Sequence, residues 1–315
     1  MNKKIVVLGG GTGLSTLLRG LKQFPLDITA VVSVSDDGKS TGSLRQEFNV
    51  PAVGDIRRVI VSLSETEPLV SNLLNYRFET SSDLNGHALG NLLLIGLINV
   101  AGNMSTGIES LSKVLNLKGT VLPLTEDNVV LMAKMEDGNI VEGEHKITLD
   151  NRKIKDVFYK ETPKILDKVI DKIKEADLII LSMGSLYTSI LPNLICEEIK
   201  DAIDESKAKV MYVCNIMTQP GETDKFKASD HINVINNYLK NKKVATIIAN
   251  NGEISEEIKE KYSTLEQKDP VVLDKENLKN IPIQVIEDNL VSIEDGILRH
   301  NTTKLGFHIF SYLIL

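Results

Sequence analysis

The chain has 315 residues, 42% hydrophobic and 25% charged, with 36 Lys and Arg against 43 Asp and Glu for a formal charge of −7. That composition suits a large globular core, whereas a net-acidic chain with 4% aromatics and no Trp lacks the basic surface and stacking side chains of a non-specific nucleic-acid binder. The apolar run at 5–8 is too short for a signal h-region, no 18-residue apolar stretch is present, and Cys196 and Cys214 lie outside any CxxC, so a reducing, cytoplasmic setting without membrane or nucleic-acid partners is expected.

Residues 4–8 read as a β-branched strand closed by Gly9-Gly10-Gly11. Leu14, Leu17, Leu18 and Leu21 then recur at helical spacing, and 28–34 reads as the next strand, bounded by Asp36-Asp37-Gly38. Runs at 129–135 and 140–147 flank Glu136-Asp137-Gly138-Asn139, which predicts an antiparallel hairpin insertion near 128–148. Thr162-Pro163 reads as an N-cap followed by Pro at the first helical position, with Ile165, Leu166, Val169, Ile170 and Ile173 on one face. Residues 178–181 are apolar throughout, as in a strand covered on both sides. Pro192 opens a helix through Leu194, Ile195, Ile199 and Ile203; a strand at 210–213, a helix through Ile232, Ile235 and Leu239, and a strand at 244–249 follow. The apolar tail at 309–315 predicts a docked helix or an oligomer contact within a helical segment near 292–315. The alternation predicts one α/β domain over 1–315, built on a doubly wound, mostly parallel sheet.

The first chemical cluster is Gly9-Gly10-Gly11-Thr12-Gly13, between a strand and a helix. Absent Cβ atoms let backbone N–H groups approach an anion, and the helix N-terminus adds unpaired donors; a ligand-free tight turn is the plainer reading. The dinucleotide pattern GxGxxG fails at Leu14, and a Walker A loop ending at Gly38-Lys39-Ser40 would need glycine where Ser33 stands. A second cluster runs from Ser33 to Arg45 at the end of the second strand, where ligands of open α/β sheets gather. Its Asp36 and Asp37 suit Mg²⁺ held partly through waters and phosphates, or simple turn chemistry before Gly38. Asp55, in Gly54-Asp55-Ile56-Arg57-Arg58, is a candidate metal ligand or general base, and Arg57 and Arg58 are candidate phosphate clamps or an exposed helix face.

His87 and Asn91 are four apart and share a face if the helix has begun. Gly184, Ser185, Tyr187 and Thr188 follow a strand and precede a helix, as in a second anion-binding nest. Asn215, Thr218, Gln219, Glu222 and Thr223 bring amide and hydroxyl groups suited to a base or sugar hydroxyl. Polar loop and capping chemistry is the plainer reading of both. Ser185 is not in a GxSxG elbow, Cys196 falls within an apolar pattern, and no HExxH occurs, so neither a hydrolase triad nor a zinc site is expected.

Taken in order, these clusters resemble the CofD/YvcK family, closest to its YvcK, gluconeogenesis-factor branch, over most of the chain. The resemblance implies a Rossmann-like, three-layer αβα fold and nucleotide-binding roles for Gly9 to Gly13, Asp36, Ser40, Thr41, Arg57, Arg58, His87, Asn91, Gly184, Ser185, Tyr187, Thr188, Asn215, Thr218, Gln219, Glu222 and Thr223. Lys39 stands where the family usually has glycine, and Ser182-Met183 where it usually has Gly-Pro. One branch implied is a cytoplasmic UDP-sugar-binding regulator of cell shape and envelope synthesis on gluconeogenic carbon, with a protein partner and a homodimeric state expected. The other is a Mg²⁺-dependent 2-phospho-L-lactate transferase, moving a phospholactyl group from a guanosine diphosphate-linked donor to a deazaflavin, with Asp37 and Asp55 as catalytic residues and metal ligands.

Overall fold

The computed structural model describes residues 2–294 and 296–315, with Lys39 described by its backbone alone. Strand β1 (Lys3–Gly9) leads through α1 (Gly11–Leu21) to β2 (Leu26–Val32). Helices α2 (Lys39–Phe48), α3 (Gly54–Leu63), α4 (Pro68–Asn75), α5 (Leu89–Ala101) and α6 (Met104–Val114) precede β3 (Thr120–Pro123). An antiparallel insertion follows: β4 (Leu131–Met135), β5 (Ile140–Glu142), α7 (Glu144–Leu149) and β6 (Ile154–Tyr159), in the order β5-β4-β6. Then come α8 (Asp167–Glu175), β7 (Leu178–Leu181), a π-helical turn (Leu186–Ile190) and a 3₁₀ turn (Leu191–Leu194). Next are α9 (Glu197–Glu205), β8 (Lys209–Val213), α10 (Ala228–Tyr238) and β9 (Val244–Asn250). The chain closes with α11 (Glu256–Glu266), α12 (Lys275–Leu278), β10 (Gln284–Asp288), the hairpin β11 (Val291–Glu294) and β12 (Ile297–His300), and α13 (Thr302–Ile314).

Seven parallel strands in the order β10-β9-β8-β7-β1-β2-β3 form the central sheet of an αβα sandwich. The chain winds outward from β1 through β2 to β3, returns to pair β7 with β1, and winds outward again through β8, β9 and β10. Right-handed crossovers then place α1 and the later connecting helices on opposite faces. The reversal between β1 and β7 is the topological switch point, where ligands of such sheets bind beyond the carboxyl ends. Leu8 pairs with Leu181 in register, so the loops after Gly9 and after Leu181 leave the sheet side by side.

Helix α1 shows why the sequence folds this way. Leu14, Leu17, Leu18 and Leu21 are completely buried, each worth about 1.5–3 kcal/mol of transfer free energy. At Gly20 a methyl group would lie 2.0 Å from the Thr302 carbonyl oxygen, so α13 seats directly on α1, and Phe24 stacks on Phe310 with centroids 5.3 Å apart. Among the described residues no single helix is long and apolar enough to cross a membrane; α5 and α6 pass only as a pair bent by 119°.

Four expectations change. The strand expected over 140–147 stops at Glu142, because Gly143 turns the chain with φ of +99° and α7 begins. The helix expected from Pro163 starts at Asp167, since Ile165 bridges Thr125 and the Leu166 N–H donates to the Leu124 carbonyl, holding the chain extended. The helix expected from Pro192 is preceded by helical turns from Leu186, capped by Ser185. The C-terminal segment opens as the β11–β12 hairpin before α13.

Candidate functional site

The loop after β1 is shaped by close approach. Gly11 adopts φ of +61°, and a methyl group at Gly13 would lie 2.4 Å from the Met183 carbonyl oxygen. Glycine is therefore the residue that lets the two switch-point loops touch. At Gly9 the same addition would meet the Ser182 hydroxyl. The Gly11 N–H donates to Asp55 Oδ2 at 2.6 Å, whereas the Thr12 and Gly13 amides lie in the first turn of α1, where a helix has no internal acceptors. They point, with the positive end of the helix dipole, toward the crevice.

A cleft of about 300 Å³ opens there, lined by Gly10 to Gly13, Met183 to Ser185, Ser189, Asn215, Met217 to Gln219 and Lys268. A larger cavity of about 1140 Å³ lies at the opposite, amino ends of β1 and β2, where Lys4 pairs with Glu175 and Lys3 with Asp177. Volume does not decide between them. The small cleft gathers convergent backbone and amide donors, and in the large one Lys3, Lys4 and Lys118 are paired with carboxylates.

The loops after β7 and β8 are braced by one buried carboxylate. Glu222 accepts hydrogen bonds from the Ser185 hydroxyl, the Tyr187 N–H at 3.1 Å, the Thr188 hydroxyl at 3.4 Å and the Gln219 amide at 2.7 Å. Burial pushes its carboxyl above the usual range, and these donors oppose the shift. Asn215 donates to the Gly184 carbonyl at 2.9 Å and accepts from the Tyr212 hydroxyl, while the Thr223 hydroxyl accepts from the Gln219 N–H. Tyr187, Thr188, Glu222 and Thr223 thus stand behind the cleft and hold Ser185 and Gln219 in its wall. Lys268 arrives because Thr218 and Asp269 exchange two hydrogen bonds, at 2.7 and 2.9 Å.

Behind the glycine loop, outside the residues that line the cleft, stands an acidic cluster. Asp36 accepts from the Gly38 N–H and the Thr41 hydroxyl, both at 2.9 Å. Asp37 accepts from the His145 N–H at 2.7 Å and so caps α7 of the insertion from across the chain. Asp55 pairs with Arg58 at 2.9 Å; burial first, and then repulsion from Asp36, raise its carboxyl to about 6. Glu144, one residue before His145, is raised to about 8 by burial and then by Asp36, with Asp55 and Asp37 adding to it.

Several predicted roles shift accordingly. Asp37 and Asp55, the expected metal pair, have protein partners of their own: Asp37 accepts from the His145 N–H, Asp55 from the Gly11 N–H and Arg58, and among the described residues no group of three or more His, Cys, Asp or Glu is placed to hold an ion. Arg57 is not a phosphate clamp in this arrangement; it donates to Asn91 Oδ1 at 2.9 Å, to Asn75 and to the Leu74 carbonyl, fixing α4 and α5 to α3. His87 precedes α5 and pairs with the Ser40 hydroxyl at 2.9 Å, so it does not share a helix face with Asn91. The Lys39 side chain lies outside the described residues.

Ser189 sits one helical turn after Ser185, its N–H donating to the Ser185 carbonyl, a spacing legible once the helix is started at 186. Sequence reasoning missed Lys268 and Glu144. Lys268 and Glu144 lie in charged segments with no local signal and reach the site only through tertiary pairing.

The family described as 2-phospho-L-lactate transferase CofD matches residues 5–291. The gluconeogenesis factor of Bacillus subtilis is 48% identical over 306 residues, covering 96% of each chain. A putative gluconeogenesis factor of Thermotoga maritima is 45% identical over 307 residues, covering 96% of this chain and 97% of its own. A crystal structure of a Bacillus halodurans protein superposes with a TM-score of 0.95 at 46% identity, covering 98% of this chain and 100% of that one.

Proposed function

The chain belongs to the CofD family, and within it we propose that this protein is a gluconeogenesis factor whose switch-point cleft binds a nucleotide sugar, most simply a UDP-sugar. The bound state would report on envelope precursors and act through a protein partner on cell shape during growth on gluconeogenic carbon. The observation that carries the reading is the set of first-turn amides of α1 opening onto a cleft with Ser185, Asn215, Thr218 and Gln219. Amides and a helix dipole suit a diphosphate, and directional side-chain donors and acceptors suit a sugar or base.

The test is thermal. A UDP-sugar about a hundredfold above its Kd should raise the unfolding midpoint by roughly 3–6 °C, and Gly11→Asp, which sets a second carboxylate beside Asp55, should abolish the shift. No shift with any nucleotide at millimolar concentration would refute the reading.

One observation favours a second reading. Asp55, near neutrality and hydrogen-bonded to the glycine loop, has the acidity of a general base. Incubation with Mg²⁺, a guanosine diphosphate-linked phospholactate donor and a deazaflavin alcohol should then release GMP; absence of product rejects transfer.

A further inference from the structure

Gln219 and Lys268 line the cleft and also a neighbouring compartment of about 400 Å³ between the ends of α7 and α11. Its lips are Leu149 and Leu265, 67% and 73% exposed, and Asn151 and Gln267 add amides to its lining. No aromatic side chain lines either space. A nucleobase gains most from an aromatic platform. A pyranose needs little more than amides for its hydroxyls and an apolar surface for its C–H face.

The position of this compartment is fixed by backbone packing. Gly221 adopts φ of +76°, and a methyl group there would lie 2.2 Å from the Asp150 carbonyl oxygen. The turn leaving α7 is therefore pressed onto the turn that carries Gln219, and the insertion becomes a wall of the ligand site. Lys268 stands at the junction, its ammonium 2.6 Å from Glu266. An exposed pair of that kind is worth little and exchanges readily for a more strongly charged anion.

We propose that the compartment between Leu149 and Leu265 is the sugar subsite of a diphosphate-bridged ligand, with Lys268 meeting the bridge. The assignment rests on the nucleotide-sugar reading above. It gives the insertion a task, selection of the sugar, separate from the glycine loop's capture of phosphate.

Calorimetric titration of the full chain with UDP and with UDP-glucose tests it, using wild type, a triple variant (Leu149→Ala, Asn151→Ala, Leu265→Ala) and Lys268→Ala. Wild type should bind UDP-glucose about tenfold more tightly than UDP, the scale of one or two added hydrogen bonds with apolar contact. The triple variant, altered only at exposed positions, should hold UDP within about twofold of wild type and lose the sugar's advantage; its retained UDP binding shows that it is folded. Lys268→Ala should weaken both ligands about tenfold. If wild type binds UDP but gains nothing from the sugar, or the triple variant keeps the advantage or loses both ligands equally, the subsite is overturned and the nucleotide reading survives. If wild type binds neither ligand, the nucleotide-sugar reading fails and the subsite with it.

Discussion

Two sets of carboxylates behind the cleft hold acid in opposite ways. On the β7–β8 side Glu222 is surrounded by donors from Ser185, Tyr187, Thr188 and Gln219, so its carboxyl is a structural rivet between two loops. On the β1–β2 side burial first, and then repulsion from Asp36, raises the carboxyls of Asp55 and Glu144. Burial alone does not decide what a carboxylate does. The number of donors converging on it separates a frame from a place where protonation or a cation is welcome.

The largest expected effect falls on the frame. Glu222→Ala leaves buried donors on both loops unpaired and should cost about 3–5 kcal/mol in chemical denaturation; a loss below about 1 kcal/mol would erase the contrast. The opposite sign is expected in the acidic cluster. Glu144 holds its proton in the folded chain up to about pH 8, well above an unfolded glutamate, so its contribution is fully present in acid and is lost as pH rises through that value. Glu144→Gln should therefore stabilise the protein by on the order of 2 kcal/mol at pH 8.5 and be near neutral at pH 4. Denaturant midpoints across that range check it, and a variant less stable at pH 8.5 would show the repulsion to be answered elsewhere.

Asp37→Ala sharpens the comparison, because Asp37 belongs to the acidic cluster yet caps α7. Removing it should cost about 1 kcal/mol, a typical cap, with exchange of the His145 amide as the local readout. The smallest effect is Arg58→Ala. Its side chain is 38% exposed and the pair with Asp55 is screened, so stability should change by less than about 1 kcal/mol. The Asp55 titration, followed by carboxyl NMR, should nonetheless move upward, since Arg58 is the cation holding it down.

What was legible in the sequence was local. β1, α1 and β2 announce themselves because a buried parallel strand is apolar throughout and α1 repeats leucine at helical spacing. The glycine loop could be placed in advance because its chemistry, missing Cβ atoms between strand and helix, is written in consecutive residues. The roles of Asp37 and Arg57 could not. Asp37 acts on a backbone amide 108 residues away, and Arg57 is fixed by Leu74, Asn75 and Asn91; a charged residue at a promising spacing looks the same whether it faces a ligand or closes the core. β10 and the β11–β12 hairpin carry mixed polar and apolar residues at the sheet's periphery, where half-burial leaves little pattern to read.

Crystals of the protein soaked with UDP-glucose give the most direct measurement. Electron density for a diphosphate against the Thr12 and Gly13 amides, with the sugar running past Gln219 toward Leu265, is the predicted result. Ligand density confined to the amino ends of the strands, with solvent alone above the glycine loop, would contradict it.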